Sequence, residues 1–199
     1  TVGLSAHPSQ TDVRVTAKAS SEEEARRLIG EMEARVRERL GDVIYGIDEE
    51  TLEGIVVKLL RDKGLTIALV ETNTRGRLVQ RLTSVDDGLA ACKGSLIAPT
   101  DETLRRSFRL PEDVLQDPSP YSASKTAAVA KIVWETYDTD IGLAVLGTHG
   151  AQEGPYGRVA GQTCIGLSTP TGTWTRDYAM GGQDETAQTW IAVRALDMV

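Results

Sequence analysis

Apolar and polar positions alternate along this chain in two periods. Residues 12–19 set Val13, Val15 and Ala17 against Arg14, Thr16 and Lys18, the period of two that predicts a half-buried strand. From Ser21 the period lengthens. Ala25, Leu28, Ile29, Met32, Val36 and Leu40 recur at helical spacing, Ser21 with Glu24 three positions on forms a capping box, and Gly41 supplies a stop. The short apolar run 43–45 predicts a second strand. Asp48 then caps a helix whose Leu52, Ile55, Val56, Leu59 and Leu60 form one stripe ended by Gly64. Residues 1–10, with His7-Pro8-Ser9, read as a linker, and a start at Thr1 instead of Met suggests an excised fragment or a processed product.

Beyond residue 64 the pattern becomes that of buried strands between helices. Residues 65–70 form an apolar run, followed at once by the polar turn 71–76 and a helical pattern at Leu78, Val79 and Leu82. Strands are further predicted at 95–98, 141–146, 162–167 and 173–178, the last two as a hairpin around Pro170-Thr171-Gly172. Helices are predicted at 100–108, 122–137 and 183–199, and 147–161 reads as a glycine-rich loop. The first 63 residues carry 10 basic and 13 acidic side chains, against 12 and 16 in the remaining 136, so charge density drops at the same place. The fold class is therefore α/β, with a small α+β domain over 1–63 and a three-layer α/β/α domain over 64–199. Functional loops are expected beyond the carboxyl ends of the strands of the second domain.

Composition narrows the function classes. The net charge of −7 has the wrong sign for a non-specific nucleic-acid or anionic-membrane binder. No run of about 18 apolar residues exists to form a transmembrane helix, and the N-terminus lacks the order of a signal peptide. Cys92 and Cys164 stand far apart in apolar contexts, which fits a reduced, cytoplasmic protein. Neither cysteine lies in a CxxC pair, and His7 and His149 are not spaced as helix ligands, so neither a metal nor a cofactor is expected.

Three segments have chemical potential. The turn 71–76 joins a buried strand to a helix N-terminus, where Thr72, Asn73, Thr74, Arg75 and Gly76 offer N–H groups and hydroxyls to an anion or oxyanion. The alternative is that Thr72 or Thr74 only caps the helix. Ser122-Ala-Ser-Lys125 matches the SxxK pattern of serine acyltransferases, but Ser122 also suits a plain N-cap and no companion motif exists. The loop at Gly147, Thr148, His149 and Gly150 is glycine-rich enough to approach a ligand, with His149 either titrating near neutrality or simply solvated. Trp134, Trp174 and Trp190 are dispersed along the chain and read as core or interface residues, not as base-stacking platforms.

Several of these segments together resemble one family. Lys63-Gly-Leu-Thr-Ile-Ala-Leu-Val-Glu-Thr-Asn-Thr-Arg-Gly is similar to KGLTLATAESCTGG, the opening of the CinA C-terminal domain. Arg81-Leu-Thr-Ser-Val, Asp140-Ile-Gly-Leu-Ala-Val-Leu-Gly and Ala160-Gly-Gln-Thr-Cys-Ile-Gly-Leu resemble its later motifs. Asp12-Val-Arg-Val-Thr-Ala and Leu40-Gly-Asp-Val-Ile-Tyr-Gly resemble the KH-like domain that precedes it in full-length competence/damage-inducible CinA proteins. The resemblance covers essentially the whole chain and leaves out the family's N-terminal domain, a missing partner module. It implies a KH-like domain over 1–63, a deamidase-type domain over 64–199, a homodimer, and a nicotinamide mononucleotide-like ligand hydrolysed to nicotinic acid mononucleotide and ammonia.

Carried over by position, the resemblance places the family's serine nucleophile on Thr72 and its first glycine on Arg75, while Thr74 and Gly76 persist. The family's tyrosine falls on Pro99, its asparagine on Asp101 and its lysine on Leu104; neither Pro99 nor Leu104 can move a proton. Ser122, Gly147 and Gly150 are retained. Nucleophile type, base and polar contacts thus change together, and loss of a general base alone costs about 10²- to 10⁴-fold. The resemblance therefore implies a degenerate pocket on a retained scaffold, with Arg75 and Arg77 able to hold a phosphate at its mouth. The alternative is an active amidohydrolase with Thr72 as nucleophile and Asp101 or Lys125 as base. RNA binding by the front module is disfavoured, because the segment from Gly41 to Gly46 has four intervening residues where a GxxG clamp has two.

Overall fold

The computed structural model describes the chain from Thr1 to Val199 except Pro118, Pro120, residues 149–151, 155–156, Ala160 and Gln183, and gives backbone alone for Leu115, 152–154 and 157–159. His149 and Gly150 thus lie outside the described residues. The chain divides into two compact units, Thr1–Glu50 and Thr51–Val199.

In the first unit β1 (Val2–His7) and β2 (Gln10–Val15) form an antiparallel hairpin with Leu4 opposite Val13 and Val2 opposite Val15. The segment expected to be a linker is therefore a strand. Pro8-Ser9 is its turn, with Ser9 at φ 63, and the cross-strand valines give Val2 and Leu4 apolar partners. Helix α1 (Glu22–Leu40) starts as expected, with the Ser21 side chain accepting from the Glu24 N–H. The reciprocal arm of the box is displaced by one residue, since the Glu24 carboxylate takes the Ser20 N–H and hydroxyl. After Gly41 the chain makes a 3-10 turn over Gly41–Val43, closed by the Ile44 N–H on the Gly41 carbonyl, in place of the strand expected at 43–45. No residue of α1 is fully buried.

The second unit opens with α2 (Leu52–Lys63), capped by Thr51 and ended by Gly64 in the left-handed region. Asp48, expected as the cap, instead sits at φ 52 in the preceding turn. The remaining elements are β3 (Ile67–Glu71), α3 (Arg77–Thr83), α4 (Gly88–Ala91), β4 (Cys92–Ile97), α5 (Asp101–Ser107), α6 (Glu112–Gln116), α7 (Ala123–Tyr137), β5 (Ile141–Gly147), β6 (Gln152–Gly154), β7 (Gly157–Val159), β8 (Thr163–Thr169), β9 (Gly172–Tyr178) and α8 (Glu185–Leu196). Leu52, Val56, Val57 and Leu60 of α2 join the main core, so this helix packs in the second unit and the division falls at 50/51 instead of 63/64. The short β6–β7 pairing lies within the segment read as a loop, its two glycines, Gly154 and Gly157, forming one cross-strand pair.

The five-stranded sheet has the order β4-β3-β5-β8-β9. β3 runs parallel to β4 and β5, whereas β5–β8 and β8–β9 are antiparallel. One face, with Ile67, Leu69, Leu143, Val145 and Ile165, packs on α2, α3 and α8; the other, with Ala68, Val70, Ala144 and Leu146, packs on α5 and α7. Helix α7 lies so close that a Cβ at Gly142 would collide with the Ala130 carbonyl oxygen. The three layers place the carboxyl ends of β3, β4 and β5, the amino end of β8 and the start of α7 at one edge of the sheet.

Candidate functional site

At that edge the turn after β3 is organised by a residue that sequence reasoning passed over. Glu71 is fully buried. Its carboxylate accepts the N–H groups of Gly76 (3.1 Å) and Leu78 (3.0 Å) on one oxygen and that of Val79 (2.8 Å) on the other. The opening donors of α3, which the sequence offers to an external anion, are thus taken by a carboxylate of the chain itself. Neither Thr72 nor Thr74 caps this helix. The available signal was an acidic residue ending an otherwise wholly apolar strand directly before a helix start.

Thr72 ties β3 to β5: its hydroxyl donates to the Val145 carbonyl (3.2 Å) and accepts from the Gly147 N–H (2.9 Å). The buried Asn73 amide donates to Thr163 Oγ1 (2.7 Å), whose own proton goes to the Met180 carbonyl (2.6 Å). A side chain at Gly147 would collide with that amide, which accounts for glycine there. The Thr74 hydroxyl is buried with no hydrogen-bond partner among the described residues. Arg75 lies in the left-handed region at φ 54, next to Gly76 at φ 89, and its side chain is exposed. Arg77 instead pairs with Glu185 (3.1 Å), joining α3 to the start of α8.

A second polar group surrounds the start of α7. Ser122 caps the helix by accepting from the Lys125 N–H (3.1 Å) and donates to the Asp117 carboxylate, which also receives the Ser119 N–H (2.9 Å) and the Ser124 hydroxyl (3.3 Å). The Ser122 hydroxyl above all, then the Ser119 N–H, hold the Asp117 carboxyl below its ordinary range. Lys125 is 3% exposed; its ammonium contacts Asp101 (3.0 Å) and the Asp117 carbonyl (3.1 Å). The ammonium makes no hydrogen bond to Ser122, so the SxxK spacing produces a cap and an ion pair between a buried ammonium and a half-exposed carboxylate, not a serine with its base. The space beside the pair is about 10 Å³, roughly one water. A larger cavity of about 250 Å³ lies beyond the ends of β8 and β9, lined by Tyr121, Gln162, Thr163, Asp177, Tyr178 and Ala179. Burial pushes the Cys164 thiol up to about 12, with the neighbouring Asp177 acting in the same direction, so it is a protonated core residue at neutral pH.

The turn residues and the Asp101–Lys125 pair therefore form two separate hydrogen-bonded groups at one edge. Among the described residues no titratable side chain hydrogen-bonds Thr72, and no cluster of three His, Cys, Asp or Glu side chains is disposed to hold a metal ion.

Comparison with known proteins places these features in a family. Residues 49–199 match the family model described as CinA C-terminal domain, and residues 1–46 match that of the damage-inducible protein CinA KH domain. A CinA-like protein of Dictyoglomus turgidum is 31% identical over all 199 residues, and one from Frankia casuarinae is 35% identical over 190 residues, 96% of the chain. These alignments cover 48% and 44% of the relatives, so the chain spans about half their length. Among solved structures, a CinA superfamily protein from Klebsiella pneumoniae superimposes with a TM-score of 0.67 at 20% identity, covering 74% of this chain and 92% of its own. Another from Escherichia coli gives 0.65 at 22% identity over 78% and 92%.

Proposed function

Because the chain belongs to the CinA family, we propose that its second unit is a nicotinamide mononucleotide deamidase-type domain whose pocket has become degenerate, leaving a non-catalytic scaffold within a longer CinA-type protein. The observation that carries this reading is the Thr72 hydroxyl. A nucleophilic hydroxyl must pass its proton to a base; here the acceptors within reach of the proton are the Val145 carbonyl (3.2 Å) and the Asn73 amide oxygen (3.5 Å), neither of them a base, while a lone pair is held by the Gly147 N–H. A backbone carbonyl cannot take that proton.

The scaffold retains one free cation at the turn: the exposed Arg75 enters no ion pair among the described residues, whereas Arg77 is engaged by Glu185. Arg75 is the group that would meet the phosphate of a nicotinamide mononucleotide-like ligand. The test is ammonia release from nicotinamide mononucleotide, with an intact family deamidase as positive control. No turnover at high protein concentration is expected, together with binding that weakens in Arg75→Ala. Turnover that disappears in Thr72→Ala but survives in Ser122→Ala would overturn the reading and make this an active amidohydrolase.

A further inference from the structure

The cavity of about 250 Å³ beyond the ends of β8 and β9 is not used by the turn after β3. Among the described residues its link to that turn is Thr163, whose hydroxyl is already committed to Asn73 and the Met180 carbonyl. The charged residue on its described wall is Asp177. Asp177 lies directly opposite Cys164 in the β8–β9 register, so both side chains stand on the α7 face of the sheet, where Tyr121 also packs. The adjacent Arg176 projects from the other face, and no basic side chain among the described residues forms an ion pair with Asp177. Its charge is felt instead by the Cys164 thiol, whose proton it helps to retain. Tyr121 and Gln162 are engaged through their main-chain N–H groups, by Ser119 and Thr148, which leaves a phenol and a carboxamide on the wall. Tyr178 rests edge-on against Trp190 with ring centroids 5.4 Å apart, so that side of the cavity is rigid.

We propose that this cavity binds a small organic cation rich in N–H donors, a guanidinium on a short alkyl chain, with its planar fork on Asp177 and the chain against Ala179. The wall selects the charge. A carboxylate that no cation neutralises attracts a positive group and repels a phosphate or a second carboxylate. It also selects the donors, because the carboxylate only accepts hydrogen bonds and the phenol and carboxamide oxygens add further acceptors. A guanidinium meets the carboxylate with two parallel N–H groups and keeps others for Tyr121 and Gln162. A quaternary or pyridinium nitrogen, with no N–H of its own, would leave those acceptors unmet. The volume selects the size, since at the roughly 30 Å³ that a water takes in the liquid it holds about eight non-hydrogen atoms. The proposal does not rest on the deamidase-type reading, in which the ligand carries a phosphate and Arg75 is the group that meets it.

Because Asp177 is exposed and its pairing is screened by salt, the test is an NMR titration of the 199-residue chain at low ionic strength. The probes are n-butylguanidinium, its neutral counterpart n-butylurea, and 1-methylpyridinium. The guanidinium should shift the main-chain amides of Gln162, Thr163, Tyr178 and Ala179 with a dissociation constant of about 1 mM, as suits so small a ligand. The urea and the pyridinium should each bind about tenfold more weakly. Asp177→Asn should bring guanidinium and urea to within about twofold of each other while the amide spectrum away from β8 and β9 stays unchanged. Ala179→Leu, which fills the cavity and keeps the carboxylate, should also weaken the guanidinium; a cation merely attracted to a surface carboxylate would not respond. The comparison of probes needs no variant, so it stands even where a substitution fails to fold. Equal binding of guanidinium and urea, or of guanidinium and pyridinium, overturns the proposal. So does a preference that survives Asp177→Asn, or shifts confined to residues away from β8 and β9.

Discussion

Glu71 is a carboxylate taken wholly out of water and repaid with three main-chain hydrogen bonds. Glu71→Gln removes the charge and turns an amide NH₂ toward donors it cannot accept from, so a loss of about 2 kcal/mol is expected. For a chain of this length that is a drop of about 4 to 8 °C in Tm by calorimetry. Cys164 gives a second expectation. With its thiol pushed up to about 12, the folded chain holds that proton while the unfolded chain loses it above about pH 8.5. This contribution to stability is complete below about pH 8.5 and is lost as pH rises toward 12. Iodoacetamide should therefore leave Cys164 unlabelled at pH 8 until denaturant is added, a difference readable by mass spectrometry. The roles of Glu71 and Thr72 were not legible in the sequence, because a hydroxyl or carboxylate at a strand end can face a ligand, a helix start or a neighbouring carbonyl. Only the packing of β5 beside β3 decides among them.

At the level of elements, legibility followed length and periodicity. Helices α1, α2 and α7 and strands β3, β5, β8 and β9 stand where apolar spacing placed them, because each has a wide apolar face to bury. β1 was hidden by His7-Pro8-Ser9, which looks like a chain breaker and is a hairpin turn; α4 and α6 are too short to show a period. Close approach of α7 to the sheet was equally invisible, since Gly142 within an apolar run reads only as one more small residue. Gly142→Ala should force the helix away from Ala130 and lower stability by about 2 kcal/mol in urea unfolding; a neutral result would mean the helix has slack that the packing does not suggest.

On the scale of the whole molecule, every fully buried residue belongs to Thr51–Val199. The first unit is held by its hairpin, its capped helix and i,i+4 ion pairs such as Arg26–Glu22, Arg27–Glu31 and Arg37–Glu33, all well exposed and each worth only a few tenths of a kcal/mol. Val2 and Leu4 remain 46% and 74% exposed. A fragment comprising residues 51–199 should accordingly unfold in one cooperative thermal transition, whereas residues 1–50 alone should lose helix signal gradually, without a midpoint. The sequence suggested two modules but set their boundary by charge density, which does not register that the stripe of α2 completes the core of the later one.

The mixed direction of the sheet also orders events in time. β8 and β9 are joined by a two-residue turn and β5 precedes them by a short stretch of chain, so the antiparallel half assembles from near neighbours. β3 meets β5 only after a loop of about 70 residues has closed, Ile67 lining up with Ile141, and closure over that span is slow. The expected order is therefore a platform of the hairpin and β5 on which β3 docks. Thr72, whose hydroxyl acquires its two main-chain partners only at that docking, reports on this slow step: substitutions there should slow refolding as well as speed unfolding, read from the two arms of a chevron plot.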